Sequence, residues 1–493
     1  MVIGSRSAVF APQPDLGLIV IDEEHEWTYK QQDPAPRYHA REAAVELAKL
    51  CNAVLVLGSA TPDVTSYQKA LWGQHELLEL RQRVRPVWSN IATRADDEAS
   101  TPHPSRSATH PLPSGGEGIR SLTRPARREA AGDARVVSST EMPPVEVIDM
   151  REELKTGNRS IFSRALQLAL YQTVERGEQA ILFLNRRGSA GFLQCRDCGF
   201  VPQCSACAIA MGFHRQGTAS GEGRMLCHQC NRSRAVYDRC PMCGSPRLRP
   251  MGLGVEAVEE SAAELLPGLR TLRWDRDVTH GRNAHEEILA SFLKHEADVL
   301  IGTQMVAKGL DLPSVTLVGV ISADIGLHIP DFRSAERTFQ LLTQVAGRAG
   351  RTASEDGGPQ AGQVVIQTYT PDNYAIIAAA RHDYHAFFEH EIELRQAEAY
   401  PPFVRLARLI YAHSNPERAE REATRLAREL QATSAVRGLP GVEVIGPAPP
   451  HVPKWHGRTR WQVTVRSPNP VELLYDLKLT EGWTMDIDPA SLA

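Results

Sequence analysis

The sequence predicts an α/β protein built on parallel sheets, interrupted by a cysteine-rich segment and closed by a smaller α+β region. Three observations carry this. Short apolar runs alternate with helical periodicity, as in LGLIVID (16–22), HAREAAVELAKL (39–50) and AVLVLGS (53–59). Such runs suit buried parallel strands, which need a helical crossover between them. Eight of the nine cysteines fall between Cys195 and Cys243. From about residue 396 the order is strand, helix, strand: RLARLIYAHS, PERAEREATRLARELQA and RWQVTV.

A chain of 493 residues has room for about three domains, each with its own core. Apolar residues at 42% and charged residues at 23% are ordinary for a soluble globular protein. No apolar run reaches transmembrane length, and MVIGSRSAVF lacks the regions of a signal peptide, so the expected compartment is the cytoplasm. A net charge of −4 gives no global argument for nucleic acid, and any basic surface must be local.

Residues 1–86 carry a first βαβ pattern. Residues 87–142 are rich in Pro, Gly, Ser and Arg, cannot bury enough apolar area to offset their ordering entropy, and are expected to be a disordered insertion. The α/β pattern resumes at 143–194 and continues at 253–395, through QAILFLN, VLIGTQ, VTLVGVISAD and GQVVIQTY as strands. SRALQLALYQTVERG and SAERTFQLLTQVAGRAG are the intervening amphipathic helices. Residues 195–252 hold the cysteines, and 396–493 form the α+β region. Cys51, at the edge of an apolar segment, reads as a buried small hydrophobe.

The cysteines form four CxxC pairs: Cys195 with Cys198, Cys204 with Cys207, Cys227 with Cys230, and Cys240 with Cys243. Each pair presents two thiolates on one tight loop, and two pairs complete a tetrahedral S4 site with Zn–S bonds of about 2.3 Å. Two structural Zn²⁺ ions are therefore expected. Spacing alone leaves the pairing open. An interleaved arrangement, with the first and last pairs outside and the middle pairs inside, is sterically natural. His214 and His228 could replace a thiolate, but eight cysteines leave no vacancy.

Asp22 and Glu23, in VIDEEHEWTYKQQ, end a strand, where open α/β sheets bind ligands. An acid there can hold Mg²⁺ while its neighbour orients or deprotonates water. An isolated acidic turn is more often a solvated surface. This one has companions: GSATP (58–62), FLNRRG (183–188), GTQMVAKGLD (302–311) and QVAGRAGR (344–351). The last sets Gln344, Arg348 and Arg351 at i, i+4 and i+7, one face of a helix, from which guanidiniums could reach a γ-phosphate.

DEEH, GSATP, GTQMVAKG and QVAGRAGR, in this order, resemble motifs II, III, V and VI of superfamily 2 helicases. With four CxxC pairs inserted, the sequence is similar to the bacterial primosomal protein N-prime (PriA) family of replication restart helicases. SRSAVFAP, YKQQ followed by RYHAR, GLGVE, DFRSAER and DIDP resemble that family as well. The resemblance implies two RecA-like lobes and a 3′-to-5′ DNA helicase that binds abandoned forks. The implied partners are DNA, primosome proteins and single-stranded DNA-binding protein, and the implied cofactor is ATP with Mg²⁺. By motif, Asp22 would hold Mg²⁺, Glu23 would activate water, and Arg348 and Arg351 would be arginine fingers. Trp27, Tyr29, Lys30 and Tyr38 fall in the segment resembling the family's aromatic-rich loop, where rings stack on bases and cations meet phosphate. Lys454, Arg458 and Arg460, with Trp455 and Trp461, form either a single-strand or partner site or a solvated basic hairpin.

The sequence contains no GxxxxGK[ST]. Only SRSAVFAP and a short strand precede the acids, so the first lobe is expected to be incomplete, with exposed apolar edges. Without that loop the β- and γ-phosphates lack a cradle. Hydrolysis is thus conditional, and a DNA- or primosome-binding zinc scaffold is the alternative.

Overall fold

Six strands run parallel in the order Thr271–Trp274, Val299–Gly302, Gln179–Phe183, Val315–Val320, Gln363–Thr368, Val145–Asp149. This computed structural model describes residues 1–80, 142–185, 191–215, 223–275, 284–303, 312, 314–349 and 362–493. Residues 87–141 of the expected insertion, residues 186–188 of FLNRRG, residues 304–311 of GTQMVAKGLD and Arg351 lie outside that set.

The inner strands are buried throughout, as their unbroken apolar runs require. Their side chains alternate between two cores. Ile181 and Phe183 pack with Phe339, Leu342 and Val345 of the helix Ser334–Ala346 and with Phe387 of the helix Tyr384–Ala397. Ala180 and Leu182 pack with Leu166 and Leu170 of the helix Arg164–Glu175 and with Val255 and Val258 of the helix Val255–Leu265.

Two smaller sheets are antiparallel. Phe192–Cys195, Gly212–Arg215, Gly223–Leu226, Ser233–Ala235 and Leu248–Met251 make up the cysteine-rich segment. Glu443–Ala448, Arg458–Ser467, Arg405–His413 and Trp483–Ile487 form the C-terminal sheet, with Lys454–Trp455 paired onto Arg458–Ser467. The 22-residue helix Pro416–Arg437 packs on that sheet. Asn415 caps its start, Pro416 occupies its first turn, and left-handed Gly438 ends it.

Leu18–Ile21 and Val54–Leu57 form a separate two-stranded parallel sheet, with Leu18 opposite Val54 and Val20 opposite Val56. The helix Ala40–Cys51 packs against both strands and buries Ala40, Ala44 and Ala48. The other face is bare: Leu18 is 58%, Val20 61%, Val54 61% and Val56 45% exposed. The expected parallel pairing is therefore present, but burial on both faces is not. Cys51 also departs from expectation. It is exposed at the helix end beside Leu50, which is 85% exposed, because no described element covers this last turn.

The bare face predicts that Val20→Thr with Val56→Thr costs little. Chemical denaturation should shift by no more than about 0.5 kcal/mol per site, while binding of an apolar dye falls. A loss of about 2 kcal/mol or more, the size of a core truncation, would contradict the exposure.

Candidate functional site

Asp22 and Glu23 are exposed at the carboxyl end of Leu18–Ile21. The chain turns there: Glu23 adopts a left-handed φ of 47°, and its amide donates to Asp22 Oδ1 at 3.0 Å. The Tyr29 hydroxyl donates to the Asp22 carbonyl at 2.7 Å. Burial, then the charges of Asp22, Glu26 and Glu23, push that hydroxyl above its usual range, so it remains a donor.

The third carboxylate has a different task. Glu24 is 2% exposed and accepts from Arg41 Nη1 at 2.6 Å, Ser66 Oγ at 2.9 Å and the Asp63 amide at 2.7 Å. Asp63 in turn caps the helix Val64–Leu71 through the amides of Thr65 and Ser66. Burial works against the Arg41 charge, but Asp63 and Glu24 outweigh it and hold the guanidinium charged. Burial, then the charge of Arg41, pushes His39 down to about 3, and the neutral ring accepts from the Arg41 amide.

His25 joins three of the sequence motifs. Its Nδ1 lies 2.6 Å from Ser59 Oγ, in GSATP, and its Nε2 lies 2.7 Å from Gln344 Nε2, in QVAGRAGR. The Gln344 amide nitrogen can only donate, so Nε2 accepts and the ring proton sits on Nδ1, toward Ser59. The Glu23 carboxylate lies 3.5 Å from that same nitrogen.

Asp22, Glu23, Gln344 and Arg348 line one cleft of about 610 Å³. Arg6 and Tyr29 line it too. Arg348 reaches it by a route other than the expected helix face. The helix stops at Ala346, and Arg348, 7% exposed, sits in the following turn, its amide donating to the Val345 carbonyl at 3.0 Å.

The aromatic segment divides. Trp27 and Tyr29 are partly exposed, and Tyr38 packs edge-on against Phe10 at 4.8 Å. Lys30 is a correction to the expected DNA contact in this conformation. It is 3% exposed, donates to the carbonyls of Arg37 at 2.8 Å and Ile487 at 2.6 Å, and pairs with Asp486 at 2.8 Å. Its three donors are thus committed to protein acceptors. The C-terminal hairpin divides as well. Lys454, Trp455 and Arg458 are exposed, whereas Arg460 is half-buried and Trp461 packs against the C-terminal core.

The cysteines form two four-sulfur groups, Cys195, Cys198, Cys240, Cys243 and Cys204, Cys207, Cys227, Cys230, in the interleaved arrangement. Sulfur separations of 3.7 Å, 3.6 Å and 3.5 Å suit a tetrahedron. Bonds of about 2.3 Å give an edge of about 3.8 Å. All four loops repeat one turn: the amide four residues on donates to the first cysteine's carbonyl, from Gly199, Ala208, Asn231 and Gly244. Each of those residues has a positive φ. The donor set, four thiolates at tetrahedral spacing, fits one zinc ion per group.

His228 is not a ligand. Its Nδ1–H donates to the Pro449 carbonyl at 3.0 Å, which leaves Nε2 to accept from His214 at 3.1 Å. The inner loop is instead a wedge against the C-terminal region. Gln462 donates to the His228 carbonyl at 2.7 Å, and Tyr400 donates to Gln229 Oε1 at 3.3 Å.

Sequence reasoning missed Glu24 as a hub, Arg6 in the cleft, and the buried Glu336–Arg395 pair at 2.7 Å. The spacing of DFRSAER could have flagged Glu336, which shares a helix face with Gln340 and Gln344.

The helicase conserved C-terminal domain matches residues 255–353, and the primosomal protein N C-terminal domain matches residues 396–490. The replication restart protein PriA of Bacillus subtilis is 42% identical over 99% of this chain and 52% of its own length. That of Synechocystis is 39% identical over 100% of the chain and 53% of its own length. That of Treponema pallidum is 36% identical over 95% of the chain and 60% of its own length. The chain spans about half the length of the first two of these relatives. With its acid cluster, the Arg348 turn and paired four-cysteine groups in one polypeptide, this chain is similar over nearly its whole length to the PriA replication restart proteins.

Proposed function

We propose that this chain carries the hydrolytic acids and arginine of an ATP-dependent, 3′-to-5′ DNA helicase acting at stalled replication forks. The observation that carries the reading is the shared cleft of Asp22, Glu23, Gln344 and Arg348, with His25 bridging Ser59 and Gln344. ATP with Mg²⁺ supplies a transferable phosphoryl group whose charge the metal neutralises. Asp22, at a strand end and without an ion pair among the described residues, would hold the metal. Glu23 would take the proton of the attacking water, and His25 would fix that carboxylate's position. Arg348 would stabilise charge on the departing phosphate. The partly exposed Trp27 and Tyr29 would stack on single-stranded DNA within a few residues of the acids, which ties strand contact to hydrolysis. Arg351 belongs to this proposal by motif alone.

No phosphate-loop motif is present in the sequence, so the decisive protein is a chimera in which this chain replaces the matching half of the Bacillus subtilis relative. Its DNA-stimulated ATP turnover should fall by on the order of 10²-fold or more in Glu23→Gln, with DNA affinity kept. Turnover indifferent to Glu23→Gln would overturn the reading.

A second role rests on the exposed Lys454, Trp455 and Arg458 beside the cysteine-rich segment: binding of forked DNA, primosome proteins or single-stranded DNA-binding protein without hydrolysis. Fork binding by the chain alone that weakens in Lys454→Ala with Trp455→Ala, and that needs no nucleotide, is its expected signature. Unchanged binding in that variant would remove this role.

Metal analysis should return two zinc ions per chain, one for each four-cysteine group. Cys204→Ser should leave one and open the junction around Gln229 and Tyr400 to protease, because the inner loop holds it. Fewer than one zinc in the unaltered chain would refute the assignment.

A further inference from the structure

One face of the helix Ser334–Ala346 bonds to the acid-bearing segment at three successive turns. Glu336 Oε1 accepts from the Val64 amide at 2.8 Å, Gln340 Nε2 donates to the Thr61 carbonyl at 3.3 Å, and Gln344 meets His25 at 2.7 Å. These residues stand at i, i+4 and i+8, the spacing of one helical stripe. Glu336 and Gln340 are 2% and 8% exposed, so two of the three bonds form away from water, where such contacts are strongest.

The seam is anchored behind. Glu336 Oε2 accepts from Arg395 Nη2 at 2.7 Å, and Arg395 Nε donates to Glu391 Oε1 at 2.8 Å. Arg395 is 2% exposed and its guanidinium lies 5.3 Å from the Phe332 ring centroid. Glu336 therefore cannot swing away without stranding a buried charge. Arg348 follows this helix by two residues, so the seam fixes where its backbone stands relative to Asp22 and Glu23.

We propose that Glu336 and Gln340 are positioning residues: with Gln344 they register the helix that precedes Arg348 against the acid strand and its GSATP turn. The inference deepens the reading of the cleft given above. Its test uses no nucleotide, so its outcome is independent of whether the cleft hydrolyses ATP.

Val64 is the first residue of its helix, and its amide has Glu336 as its acceptor, while the amides of Thr65 and Ser66 are held by Asp63. At the other end of the turn, the Thr61 amide donates to Ser59 Oγ, which His25 and Gln344 hold in place. Hydrogen exchange at these two amides in the full chain thus reports both ends of the seam.

In Glu336→Ala, exchange at Val64 and at Thr61 should both quicken by about tenfold or more, with the strands Gln179–Phe183 and Val315–Val320 unchanged. Glu336→Gln, which keeps a carbonyl for Val64, should restore most of the protection at both. Gln340→Leu removes the middle bond without stranding a charge and should quicken Thr61 even if Glu336→Ala folds poorly. Unchanged exchange at Val64, or a change at Val64 with none at Thr61, would overturn the proposal. So would equal quickening across the six-stranded sheet, which marks general destabilisation.

Discussion

One imidazole holds the proposed site together. His25 touches Ser59 with one ring nitrogen and Gln344 with the other, so segments far apart in the chain meet at a single planar group. A planar ring with one donor and one acceptor has little freedom once both are satisfied. The strand tip carrying Asp22 and Glu23 is therefore defined relative to the helix that precedes Arg348. Beneath it, Glu24 satisfies three donors and makes the tip rigid from the inside. Adjacent carboxylates thus divide the work, two facing the cleft and one bracing it.

The cysteine-rich segment answers a different constraint. Its sheet is small, and five of the eight clustered cysteines belong to the buried part of its core, alongside residues such as Leu193, Met211 and Met225. A core this limited gains stability when its sulfurs share a metal ion, because binding free energy becomes folding free energy. The inner loop also passes its rigidity on. Gln462 and Tyr400 bond to its backbone and to Gln229, and Tyr400 stacks on Phe332 at 4.7 Å, beside Arg395, which anchors Glu336.

Much of this was legible in the sequence. Unbroken runs such as QAILF and VTLVGV meant burial on two faces, and alternate side chains do enter two cores. The CxxC pairs carried their own turn geometry, down to left-handed residues that include Ala208 and Asn231 as well as glycines. What stayed hidden depends on contacts across hundreds of residues. Lys30 looked like a surface cation beside aromatics, but Asp486 and Ile487 capture it. Nothing in the sequence links Glu336 to Arg395, and only the packed structure makes them a buried pair. Cys51 looked buried because its flanks are apolar, whereas the small sheet beside it leaves that helix end open.

The central claim is that His25 joins the acid strand to the helix that precedes Arg348, and its ring nitrogens report this directly. Nitrogen-15 NMR of histidine-labelled chain, with the His25 signals assigned by difference from His25→Asn, reads the tautomer without requiring activity. The structure predicts a fixed Nδ1–H tautomer whose Nε2 shift moves toward that of an unbonded acceptor in Gln344→Ala. Averaged shifts typical of a solvent-exposed ring, the same with and without Gln344, would contradict the account.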